Sequence, residues 1–97
     1  MPQRPTKASV KAREEPPGLR LQRVFAENFR AARMVAELSQ KDIAELSGLA
    51  QQTISQIETA RHNLTLKTMD KLGKVVGREV HDLLSPKPSR TANRDSQ

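Results

Sequence analysis

Residues 40–58, Q-K-D-I-A-E-L-S-G-L-A-Q-Q-T-I-S-Q-I-E, read as two short helices broken at Gly48. Ser39 stands just before them with Asp42 three residues on. In this S-x-x-D pattern a hydroxyl and a carboxylate satisfy the free N–H groups of a helix start. Ile43 and Leu46 are three apart and are expected to share one helical face. Gly48 takes a positive φ at no steric cost, so the chain can turn sharply there. Leu49 then falls in the turn, and Ile54 and Ile57, again three apart, face back toward the first of the two helices.

On the opposite face of the second helix, Gln51, Gln52, Ser55 and Gln56 recur at helical spacing as an uncharged, amide-rich patch. A Gln amide both donates and accepts, so it pairs in a bidentate way with N6 and N7 of adenine in the major groove. A helix fits that groove. A merely solvated face would favour Glu and Lys. Three Gln in six positions, directly after a glycine turn, favour base reading over simple solvation.

These residues resemble the helix-turn-helix domains of phage repressors, Cro proteins and their bacterial relatives. The resemblance runs from about Phe25 to Leu84. It is carried by Leu38-Ser39-Gln40, Ile43-Ala44, Gly48 and Gln51-Gln52-Thr53-Ile54-Ser55-Gln56-Ile57-Glu58, and a later leucine-patterned helix pair completes it. It implies a compact all-α, five-helix repressor-like bundle whose helices 2 and 3 form the helix-turn-helix. It further implies that Gln51, Gln52 and Gln56, with Thr53 and Ser55, read bases. Ser39 and Gln40 then face a phosphate, favoured by free N–H groups and the helix dipole, and Gln40 braces Gln51. Thr59, Arg61, Asn63 and Lys67 lie where the family contacts the opposite backbone, positioning the protein without reading sequence. Arg33 matches an Arg that commonly pairs with the Glu closing the recognition helix, here Glu58. Such a pair is bidentate and fixes the angle between two helices.

The chain departs from the family pattern at four places. Glu37 stands where Gly commonly ends the first helix, so that turn is expected to differ or to carry strain. Ala50 replaces the usual Ser or Thr cap of the recognition helix, a loss of roughly 1 kcal/mol. Ala60 and Leu64 replace Gly and Pro, so the loop past Glu58 is expected to be shaped differently.

Composition sets the outer bounds. Ninety-seven residues allow one domain, and an aromatic content of 2 %, with no Trp or Tyr, makes the core aliphatic around two Phe. A unit of this size buries only about 60 % of its unfolded surface, which favours dimerisation. The absence of Cys removes disulfides, thiolate chemistry and Cys-type zinc sites, and suits a reducing cytoplasm. No apolar run reaches membrane-spanning or signal-peptide length. The net charge is +6, and the tails hold most of it: four basic and two acidic residues in 1–18, three and one in 85–97. Basic chains favour polyanions, either nucleic acid or an acidic membrane surface.

Residues 1–18, with four Pro and one Gly, read as a disordered basic N-terminal tail, and residues 85–97 as a disordered C-terminal one. The domain between them, 19–84, opens with a helix from about Leu19 to Ala36. Its expected buried stripe is Leu21, Phe25, Phe29, Ala32 and Ala36, with Arg30 off the stripe and within reach of a phosphate. Leu66, Met69, Leu72 and Val76 mark a fourth helix from near Thr65 to Gly77. Val80, Leu83 and Leu84 mark a short fifth, which is the candidate dimer contact.

An enzyme fits poorly. His62 and His81 have no metal-ligand spacing, and there is no nucleophile motif or phosphate-binding glycine loop. No metal or cofactor is expected. The chain reads as a sequence-specific DNA-binding regulator, in the main a repressor, associated with the nucleoid and acting as a homodimer on a two-fold operator. The alternative is an antitoxin that represses its own operon through the same domain and neutralises a toxin with a tail.

Overall fold

The computed structural model describes residues 15–86. They form five helices: α1 (Leu19–Val35), α2 (Gln40–Ser47), α3 (Gln51–Glu58), α4 (Leu66–Val76) and α5 (Val80–Leu83). No strand occurs among the described residues. Most of both expected tails, residues 1–14 and 87–97, lies outside them. Residues 15–18, assigned above to the first tail, instead turn into α1. The Leu19 N–H donates to the Pro16 carbonyl (3.1 Å), and Arg23 pairs with Glu15 (3.0 Å).

Local chemistry sets the helix starts. The Asp42 N–H donates to Ser39 Oγ and the Ser39 N–H to Asp42 Oδ2, both at 2.9 Å, a reciprocal cap at the start of α2. Thr65 caps α4 by accepting from the Thr68 N–H (3.1 Å). Ala50 supplies no side-chain cap to α3.

The helix ends share a different device. Leu38, Arg61 and Arg78 each donate their N–H to the carbonyl five residues back, at Arg33 (3.1 Å), Gln56 (2.8 Å) and Gly73 (2.8 Å). The residue before each donor is left-handed: Glu37 at φ 60°, Ala60 at φ 59° and Gly77 at φ 72°. This is the Schellman closure, in which Gly is usual because a β-carbon crowds the backbone at positive φ. At Ala60 the expectation of a differently shaped loop is therefore corrected. The chain keeps the glycine-type turn and carries the strain of a β-carbon in it, as it does at Glu37.

The core gathers one face from every helix. Phe25, Phe29, Ile43, Ile54, Ile57, Leu72 and Leu83 have essentially no exposure, joined by Ala32, Met69 and Val76. The two Phe rings, one turn apart on α1, stack with centroids 5.9 Å apart. α2 packs on α3 and α4, while α1 packs on α3, α4 and α5. α3 is thereby held from behind by two helices, and its front is left clear.

Three apolar expectations are corrected. Leu46 does not follow Ile43 inward and is 63 % exposed. The buried face continues at Ser47, four residues on, whose Oγ accepts from the Leu49 N–H across the turn. On α1 the buried residues are Phe25, Ala26, Phe29 and Ala32. Ala36 is exposed because the helix has ended and the chain is turning at Glu37. Leu21, one turn before Phe25, is 48 % exposed at the edge of the core.

Candidate nucleic-acid interface

With Ile54 and Ile57 buried, α3 turns the rest of its circumference outward. Gln51, Gln52 and Ser55 are exposed, and Thr53 and Gln56 are half-buried at the edges of that strip. Among the described residues, none of these five side chains makes a hydrogen bond. Their donors and acceptors are free for a partner, and three amides on one helix face can meet adenine edges.

Behind the strip, Arg33 and Glu58 tie the last turn of α1 to the last turn of α3. Arg33 Nε donates to Glu58 Oε2 at 2.6 Å and Nη2 to Oε1 at 3.0 Å, while Nη1 donates to the Leu38 carbonyl at 2.8 Å. The side chains are 14 % and 4 % exposed, so solvent hardly screens the pair. The hydrogen bond to Glu58 pushes the Arg33 pKa above its ordinary value. Burial opposes that shift, and the attraction of the carboxylate adds to it.

Gln40 completes this network in a way that corrects the sequence expectation. Its Nε2 donates to Glu58 Oε1 (3.1 Å), so it braces the C-terminal end of α3 and not Gln51 at the other end. Arg30, Gln40 and Thr59 line one concavity of about 310 Å³ together with the Arg33–Glu58 pair. Three residues expected at the DNA backbone are thus brought together. Thr59 itself is otherwise engaged: its hydroxyl is directed to the carbonyls of Ser55 (3.0 Å) and Gln56 (3.1 Å). A phosphate only accepts, so in this geometry Thr59 closes α3 and has no proton to offer it.

At the start of α2, two backbone donors are already taken by the Ser39–Asp42 cap. The Ser39 hydroxyl oxygen accepts the Asp42 N–H there. The two bonds from Ser39, backbone first, hold the Asp42 carboxyl below its usual range. The resulting negative charge weakens the helix end as a phosphate seat. Arg61, Asn63 and Lys67 are all exposed. Asn63 Oδ1 accepts from Gln22 Nε2 (3.1 Å), which anchors the loop after α3 to α1 and leaves the Asn63 amide N–H groups unengaged by that bond.

Of the expected dimer residues, Leu83 is corrected. It is 2 % exposed and belongs to the core, so it cannot meet a partner. Val80 and Leu84 are half-buried against that core. α5 is held by a residue the sequence did not reveal. The Asn28 amide donates to the carbonyls of Leu83 (2.9 Å) and Ser85 (2.7 Å), with Asp82 further off at 3.4 Å. No motif signals a contact across more than 50 residues, and an Asn within a helix reads as ordinary surface.

Among the described residues no cluster of His, Asp and Glu is placed to hold a metal ion. No described helix is long and apolar enough to cross a membrane.

A family model described as helix-turn-helix matches residues 29–83. The chain is 37 % identical over 65 residues to the control protein C.SmaI of Serratia marcescens, covering 67 % of this chain and 77 % of that one. Its structure resembles that of a hypothetical transcription factor, NHTF, from Neisseria (TM-score 0.69, 27 % identity, 86 % of this chain and 93 % of that one). It also resembles the restriction-modification controller protein C.AhdI from Aeromonas hydrophila (TM-score 0.61, 29 % identity, 64 % and 94 %).

Proposed function

The chain belongs to the helix-turn-helix family of DNA-binding regulators, and on that premise we propose that it reads a two-fold operator as a homodimer, with α3 in the major groove. The observation that carries this is the outward strip of Gln51, Gln52 and Ser55, unengaged within the subunit and backed by a buried ion pair. Arg30, Ser39, Gln40, Arg61, Asn63 and Lys67 supply phosphate contacts on either side of that strip. One short helix reads only a few base pairs, so two copies with half-sites about one turn apart, ~34–36 Å, give useful specificity.

The similarity to two proteins named as controllers, one of restriction-modification, extends the proposal to the genes under control. By occupying promoter DNA the chain represses transcription, and its target includes genes of a restriction-modification system. The antitoxin alternative gains no support from the matched proteins.

Selection of bound duplexes from a random pool tests the proposal. A palindromic consensus with two half-sites one turn apart is expected. Recovery of unrelated duplexes at equal frequency would overturn it.

A further inference from the structure

We propose that Gln22, in the first turn of α1, is a positioning residue for DNA binding: it holds the Asn63 amide so that its N–H groups, and not its carbonyl, meet the phosphate backbone. The inference deepens the regulatory reading above, on which it rests, by naming the group that orients one of its backbone contacts. An Asn amide has two ends of opposite character. Its Nδ2 carries two donors, while its Oδ1 only accepts. A phosphate oxygen also only accepts, so one orientation of the amide attracts it and the flipped one repels it. The two ends are nearly equal in size, so packing does not choose between them. A neighbouring donor or acceptor has to.

That neighbour is Gln22. Its Nε2 donates to Asn63 Oδ1 at 3.1 Å, across 41 residues of chain. Its own backbone is fixed at the helix start, where the Gln22 N–H donates to the Gly18 carbonyl (2.8 Å). Gln22 is half-buried and Asn63 exposed. Both line a groove of about 260 Å³ whose remaining members are Gly18 and apolar side chains, among them Leu21, Leu64 and Leu66. No other polar side chain lines it, so none there competes for the Asn63 amide. Among the described residues no hydrogen bond uses the Asn63 Nδ2 group, and both of its protons remain for a partner.

The path of the loop is secured by other contacts. The Arg61 N–H closes on the Gln56 carbonyl (2.8 Å), Leu64 packs against the core, and Thr65 caps α4. These decide where the loop lies. The bond from Gln22 decides which end of one amide the loop presents. A side chain that touches no DNA thereby sets the sign of a contact that does, from a rigid element behind it.

Gln22→Glu in the full chain supplies the test, because it keeps the shape and the hydrogen bond but reverses the direction of the bond. A carboxylate only accepts, so it takes the Asn63 N–H and turns Oδ1 toward the phosphate. Affinity for the selected operator is expected to fall about tenfold or more, the usual effect of losing a hydrogen bond to a charged group. The added negative charge weakens binding by itself, so the same change is made beside Asn63→Ala, where no amide remains to reverse. There the loss is expected to be about threefold or less. Circular-dichroism melts of Gln22→Glu and wild type are expected to coincide. Because phosphate contacts carry no sequence information, the ratio of affinities between the operator and its point variants should stay constant. Equal losses with and without Asn63 overturn the proposal, as does wild-type affinity in Gln22→Glu. A lowered melt would assign the bond to folding, and a changed ratio would assign it to base reading; each overturns it too. A wild-type chain that selects no duplex sinks the regulatory reading and this inference with it, whereas a selected palindrome with equal losses sinks the inference alone.

Discussion

Arg33 and Glu58 lie 25 residues apart and meet through two parallel hydrogen bonds, 2.6 and 3.0 Å long, in a site almost closed to solvent. Each partner is held from a further side, Arg33 by the Leu38 carbonyl and Glu58 by the Gln40 amide. The ends of α1 and α3 and the start of α2 are therefore locked at one point. That lock sets the angle at which the Gln strip leaves the body of the protein.

Arg33→Ala and Glu58→Ala are each expected to cost about 3 kcal/mol, because each leaves the other charge buried without its partner. The double variant should be little worse than either single one. A double-mutant cycle from denaturant melts measures this. Mild and additive losses would show that the pair does not act as a unit.

The amides and the exposed cation are expected to fail in different ways. Gln51→Ala or Gln52→Ala should relax preference at particular operator positions, by about 1–3 kcal/mol for a bidentate contact. Lys67→Ala should weaken all duplexes alike and lower the slope of affinity against salt by about one. Binding titrations on the selected operator and its point variants, at several salt concentrations, separate the two. Uniform losses from the Gln variants would mean they do not read bases.

The left-handed helix ends make a prediction of opposite sign. Glu37→Gly and Ala60→Gly remove a β-carbon from a positive-φ position and should each stabilise the fold by roughly 0.5–1 kcal/mol. Gly73→Ala should do the reverse and cost ~1–3 kcal/mol, since its β-carbon would stand 2.5 Å from the Arg78 carbonyl oxygen. Thermal melts of the three variants give the order directly.

Acid should weaken the cap at the start of α2. Asp42 is held below its ordinary pKa by its two bonds from Ser39. A carboxyl whose pKa is lowered by folding contributes stability above its unfolded value, about 3.9, and loses it as pH falls through the folded value. The stability difference between wild type and Asp42→Asn should therefore be full near neutrality and shrink below about pH 4. Melts across that range, in which a constant difference is the contrary result, decide it.

Local chemistry alone sufficed for much of the fold. Ser39 and Asp42, Gly48, Thr65 and Gly77 mark helix ends through side chains and backbone freedoms that act within a few residues. The same short range explains why the outward Gln strip is legible in the sequence: once Ile54 and Ile57 turn inward, helical spacing puts Gln51, Gln52 and Ser55 outside. What periodicity could not settle was how far the core extends along each helix. Leu21 and Leu46 have the right spacing to be buried and remain 48 % and 63 % exposed, because spacing within one helix does not say how closely the other helices approach it. Leu83 looked available to a partner and is sealed by α1 and α4 instead. The re-aiming of Gln40 toward Glu58, and the hold of Asn28 on α5, join residues 18 and more than 50 positions apart. Contacts of that kind exist only when helices are brought together, so tertiary packing, which no local pattern encodes, determined them.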